Sequence, residues 1–241
     1  MDLIGRLSAL EEPIAYRKPP PVGQLPFKVT TGIRPILLSA PHSTRHSRNG
    51  KHKMEEEFTA GLARLLAEET GCHAIYNQWE TADDPNWDQQ AVYKKHLAKL
   101  VERQDIKLVI DLHGMTNRHK IGVALGTING RACPDYERPL QQAFLAAGFE
   151  DIPVGELLTL TTSSWGRLVV NHPKFTGGIK SHTITRFASQ TLGVQAVQVE
   201  ITSSARIVHR GPHDGWPFHF YGEPNAIYAT ISALSQFLEK V

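Results

Sequence analysis

Apolar residues along this chain fall into two patterns: short uninterrupted runs of strand length, and longer stretches with apolar positions every three or four residues. Residues 35–40 read as a buried strand stopped by Pro41, with His42 directly after it. Residues 107–113 read as a central strand, in which Leu108, Val109, Ile110 and Leu112 surround Asp111 and His113 and Gly114 ends the run. Side chains alternate along a strand, so Asp111 and His113 share a face. Residues 72–76 and 121–125 predict further short strands. In 194–201, Val197, Val199 and Ile201 alternate with Gln198 and Glu200. Helical spacing begins at Glu55, with Phe58, Leu62, Leu65 and Leu66 on one face and Gly71 as the cap. The acidic run Glu55, Glu56 and Glu57 suits the positive end of that helix. Helices are also predicted over 89–103, 137–147, 183–190 and 225–240, the last carrying Ile227, Ile231, Leu234 and Phe237 on one stripe.

Between these elements lie a cationic polar loop at 43–53 and loops at 81–88 and 171–178. Residues 157–170, rich in β-branched side chains around 163–166, predict a hairpin. Pro13, Pro19, Pro20, Pro21 and Pro26, with Gly23, forbid long regular structure in an N-terminal arm over 1–27. The remainder, 28–241, alternates strands and helices with no repeat or linker, which predicts a single α/β domain.

Composition narrows the class of function. The chain is 41% hydrophobic and 21% charged, as in soluble globular proteins, and its 241 residues suffice for a sizeable core. A net charge of +2 argues against a dedicated nucleic-acid surface, and no aromatic residues interleave the basic cluster from Arg45 to Lys53. No window approaches the apolar length of a membrane span, so no membrane role is expected. The first residues lack a basic segment followed by a long apolar run, and Cys72 and Cys133 make no disulfide framework. A reducing, cytoplasmic location is the expectation. Twelve histidines point mildly toward metal chemistry.

Two of those histidines stand at strand ends. If the strands before His42 and His113 are parallel neighbours, both imidazoles emerge at one edge of the sheet, which suits a zinc site needing one further protein ligand. The Glu55–Glu57 run is the nearest carboxylate supply, and periodicity does not choose among its members. Asp111 is placed to hold a ring nitrogen of a ligating histidine. Glu200, if it faces the same cleft, is the natural general base. Gly177 and Gly178 permit close backbone approach to a ligand, and Arg45, Arg186 and Arg206 are candidates to grip a substrate carboxylate.

Taken together, these segments resemble the N-formylglutamate amidohydrolase family, relatives of the zinc carboxypeptidases and aspartoacylases. The resembling pieces are residues 39–43, 56–59, 111–114, 173–178 and 198–201, in the family's order. The resemblance implies a mixed sheet flanked by helices, of the phosphorylase/hydrolase type. It implies one zinc ion on His42, an acidic ligand at Glu57 and His113, with Glu200 as catalytic base; iron and manganese suit the same ligands. The family's acidic ligand precedes an aromatic residue, hence Glu57 before Phe58. Asp84-Pro85-Asn86-Trp87 resembles a substrate-binding Asp-x-Asn-Arg motif, which marks Asn86, but has tryptophan at the arginine position. Gly114 likewise stands where arginine often follows the strand-end histidine. The expected reaction is hydrolysis of a C–N bond in a small N-acyl amino acid, N-formyl ones included, or a related amide. A zinc peptidase or deacylase and a degenerate binding protein on the same scaffold are the alternatives.

Overall fold

The apolar runs become the strands of one mixed eight-stranded sheet in the computed structural model of the chain, which describes residues 2–161, 164–179, 181–212 and 217–241. Chain order runs α1 (Leu3–Glu11), β1 (Phe27–Thr30), β2 (Ile36–Ala40), the hairpin β3 (His46–Arg48) and β4 (Lys51–Lys53), then α2 (Thr59–Thr70) and β5 (His73–Asn77). It continues with α3 (Val92–Arg103), β6 (Leu108–Met115), β7 (Val123–Gly126), α4 (Glu137–Ala146), β8 (Glu150–Asp151) and β9 (Arg167–Val170). Last come α5 (Ile184–Arg186), β10 (Gln195–Thr202), the paired β11 (His209–Arg210) and β12 (Phe220–Tyr221), and α6 (Pro224–Lys240). The sheet order is β1-β5-β2-β6-β10-β7-β9-β8, parallel from β5 through β10.

Strands buried on both faces read as near-continuous apolar runs, and β2 and β6 are of this kind. Leu38, Ile110 and Leu112 pack on one face with Leu65 and Leu66 of α2 and Ile231 and Leu234 of α6. Leu37, Val109 and Ala196 pack on the other with Tyr93 and Leu97 of α3. The α/β architecture expected from the pattern is therefore the one observed. No helix among the described residues is long and apolar enough to cross a membrane.

Three local expectations change. The cationic loop contains a hairpin, turned by Asn49 and Gly50 at φ 51° and 71°. That Asn-Gly pair is a type I′ signal legible in the sequence. The 157–170 segment forms no hairpin among the described residues: a 3₁₀ turn at Val154–Thr159 leads to β9, which pairs in parallel with β7 and β8. Ser163 of the expected turn lies outside the described residues. The helix expected from Glu55 starts only at Thr59, because Phe58 adopts a left-handed φ of 65°.

A fourth expectation also changes: the N-terminal arm, expected without long regular structure, opens with the nine-residue α1, because its first proline is Pro13, and that helix supplies the missing cap of α2. Phe58 offers no capping side chain. Glu11 instead accepts from the backbone N–H of Phe58 at 2.7 Å and of Gly61 at 2.5 Å, and from the Tyr16 hydroxyl at 2.6 Å. Burial pushes the Glu11 carboxyl up to about 7 against the pull of these donors. Glu11→Ala leaves buried donors without a partner and should lower stability by about 3 kcal/mol. Urea unfolding should show a lower midpoint at unchanged slope; an unchanged midpoint would remove Glu11 from this role.

Candidate metal centre

Parallel pairing of β2 with β6, with Ser39 beside Asp111, brings the chain out at one sheet edge after both strands. The rings of His42 and His113 lie 4.8 Å apart, inclined at 68° edge to face. Glu56 lies between them: Oε1 is 3.1 Å from His42 Nδ1, and Oε2 is 2.9 Å from His113 Nδ1. The Gly114 N–H also donates to Oε2, at 2.9 Å. The expectation favouring Glu57 is thereby corrected. Glu57 points away and accepts from Arg210 at 2.9 Å, while Glu55 pairs with Arg17 at 2.7 Å. The late start of α2 is the cause. In a helix these carboxylates would fan out around one axis; in the extended turn each takes its own direction.

The far nitrogens of both imidazoles are held as well. His42 Nε2 lies 2.8 Å from Asp84 Oδ1, and His113 Nε2 lies 3.2 Å from Asp111 Oδ2 and 3.1 Å from the Asn86 amide nitrogen. Asp84 also accepts from Arg48 at 2.6 Å. His46 stacks on His42 with ring centroids 4.1 Å apart. Burial alone would lower the pKa of His42, but Glu56 and Asp84 outweigh it and raise it to about 9. Burial, then the neighbouring charge of His42, takes His46 down to about 4. Burial disfavours the Glu56 charge, yet His113 and His42 hold its carboxyl well below the usual range.

Glu200 is aligned with His113 across the parallel β10–β6 pair, and Gln198 with Asp111, so the Glu200 carboxylate and the Gln198 amide share the His113 side of the sheet. Gln198 donates to Glu200 Oε1 at 2.7 Å, which leaves Oε2 outside that bond. Burial, tempered by His113, pushes the Glu200 carboxyl up to about 7. His42, Glu56, His113 and Glu200 line one cleft of about 380 Å³ together with Asn86, Trp87, Arg48, Lys53 and Lys174.

The other expected substrate residues disperse. Arg45 pairs with Glu80 at 2.6 Å outside the cleft lining. Gly177 and Gly178 press against Gly126 and Thr183, where a Cβ would collide, so they shape the loop that carries Lys174 and Phe175. Arg186 opens onto a different cavity. Arg206 is buried, with its guanidinium filling the space a side chain at Gly114 would need. Asp84, His46, Arg48 and Lys174 were not singled out from sequence as site residues. Asp84 had the one available signal, its place in the 84–87 motif.

The donor set fits a metal ion. Two Nδ1 atoms and a carboxylate converge, ligand atoms within 4.8 Å of one another, and each Nε2 is oriented by an aspartate, as metal-ligating histidines require. His42, His46 and Asp84 also converge within 4.8 Å, but the Arg48 charge on Asp84 opposes a second cation there.

With this geometry in view, comparison places the fold. No family model matches the chain, and no curated protein matches it. Solved structures do. The chain shares its fold with a bacteriophage poly-gamma-glutamate hydrolase. The two are 12% identical with a TM-score of 0.51, over 92% of this chain and 91% of that one. A metallo-carboxypeptidase from Pseudomonas aeruginosa is 16% identical with a TM-score of 0.46, over 98% of this chain. The chain spans 66% of that protein's length.

Proposed function

We propose that this chain is a zinc-dependent hydrolase of C–N amide bonds, of the N-formylglutamate amidohydrolase kind, acting on a small anionic N-acyl amino acid or related amide. The observation that carries the reading is Glu56 set between His42 and His113, with Glu200 beside His113 on the adjoining strand. Zinc held by His42, Glu56 and His113 would polarise the amide carbonyl and lower the pKa of the attacking water toward about 7. Glu200 Oε2 takes the water's proton and delivers it to the leaving nitrogen. Asp84 and Asp111 keep both Nδ1 atoms turned to the cleft.

Charge supports an anionic substrate. Arg48, Lys53 and Lys174 line the cleft, whose described acidic lining residues are Glu56 and Glu200. Both belong to the centre itself, so the outer cleft is positive and attracts carboxylates. The structural neighbour's name, a hydrolase of poly-gamma-glutamate, concerns an anionic amide too. The free, buried thiols of Cys72 and Cys133 suit the cytoplasmic setting included in this reading.

Purified protein is expected to carry about one zinc per chain. N-acyl derivatives of acidic amino acids should be hydrolysed faster than neutral N-acyl amides and short peptides. A chelator should abolish turnover and added zinc restore it. Turnover indifferent to chelation would defeat the proposal; preference for peptides would move it to the peptidase alternative.

A further inference from the structure

Arg186 opens onto a cavity of about 420 Å³ that is separate from the metal cleft and walled by Gln89, Gln90, Lys94, Phe187 and Gln190. No aspartate or glutamate stands among its described lining residues. Lys94 is 2% exposed, one of the most deeply buried large side chains. Its ammonium donates to the carbonyls of Asp88 at 3.2 Å and His182 at 2.5 Å, and it forms no ion pair among the described residues. Burial draws this amine down to about 8, which leaves it largely charged at neutral pH. Asp84, Asp111, Asp88 and Asp83 act on this charge only through space, and a buried charge without a direct ionic partner is costly.

Arg186 points the same way. Its Nε donates to Gln190 at 2.9 Å, and its terminal guanidinium nitrogens make no hydrogen bond among the described residues. The wall between these cations is a π turn, Phe187–Thr191. Such turns are rare, cost backbone energy and concentrate at functional sites. Here the π turn presents Phe187 and Gln190 to the cavity, with the Phe187 ring centroid 5.8 Å from the Lys94 nitrogen.

We propose that this cavity binds a small organic anion through a carboxylate or phosphate group held by Lys94 and Arg186, with the glutamine amides meeting its polar remainder. The ligand supplies the direct ion pair that Lys94 lacks among the described residues. Its site shares a wall with the metal cleft: Ser181 and Thr183 line the cleft, and His182 between them lines this cavity. From there the Ile184 N–H donates to Asn86 at 2.8 Å, whose amide lies beside His113. An occupied cavity therefore steadies the segment next to His113.

Calorimetric titration of the full chain with glutarate, and separately with inorganic phosphate, tests the site. Saturable binding of at least one probe is expected, weakened at least about tenfold in Arg186→Gln and in Lys94→Met. Arg48→Gln, in the metal cleft, should change it less than about twofold. Glutarate alone binding identifies a carboxylate ligand, and phosphate alone a phosphate ligand. If Lys94→Met fails to fold, Arg186→Gln decides. Unchanged affinity in Arg186→Gln, or no binding of either probe at about 10 mM, overturns the proposal.

Discussion

Glu200→Gln is expected to lower kcat by about two to four orders of magnitude while the protein keeps its zinc. The substitution preserves size and leaves an amide oxygen to meet Gln198, which donates to the native Oε1 at 2.7 Å. What it removes is the ability to accept a proton. Glu200 lies one strand away from His113 and is not part of the His42, Glu56 and His113 cluster, so metal content should hold. Metal analysis and kinetics on the same sample give the check. Near-native turnover in the variant removes Glu200 from proton transfer. Zinc lost along with activity makes it a ligand instead.

Glu56→Gln should cost at least about a hundredfold in zinc affinity, whereas Glu57→Gln should leave zinc binding unchanged. Loss of an outer partner alone typically costs 10–100-fold, and Glu56 offers its oxygens directly to the gap between two imidazoles. Glu57 spends its carboxylate on Arg210, so its substitution should register in stability and not in metal affinity. Competition with a chromophoric chelator measures both variants. The opposite ranking, zinc lost in Glu57→Gln and kept in Glu56→Gln, would overturn the ligand set.

At the two positions where the sequence departs from the motifs it resembles, a guanidinium arrives from elsewhere in the chain. Trp87 occupies one of them, and the Arg48 guanidinium from β3 lies over its ring at 5.5 Å while bonding Asp84. At the other, Gly114 has no side chain, and the Arg206 guanidinium sits in the vacated space. Positive charge beside the centre is therefore supplied through long-range contacts that a linear motif does not encode.

Strand and helix placement was legible in the sequence because burial on both faces leaves continuous apolar runs and amphipathic helices leave a stripe. That pattern by itself determined the α/β class, the place of His42 just past one strand, and the shared face of Asp111 and His113, although Gly114 does not end β6, which runs on to Met115. The same alternation put Gln198 and Glu200 on one side of their strand. Which strands are neighbours, and hence that β10 lies against β6 with Glu200 level with His113, is a matter of tertiary pairing. So is the choice among three consecutive glutamates. It turned on one left-handed residue, Phe58, and on a helix cap reaching in from Glu11, interactions that only the folded chain brings together.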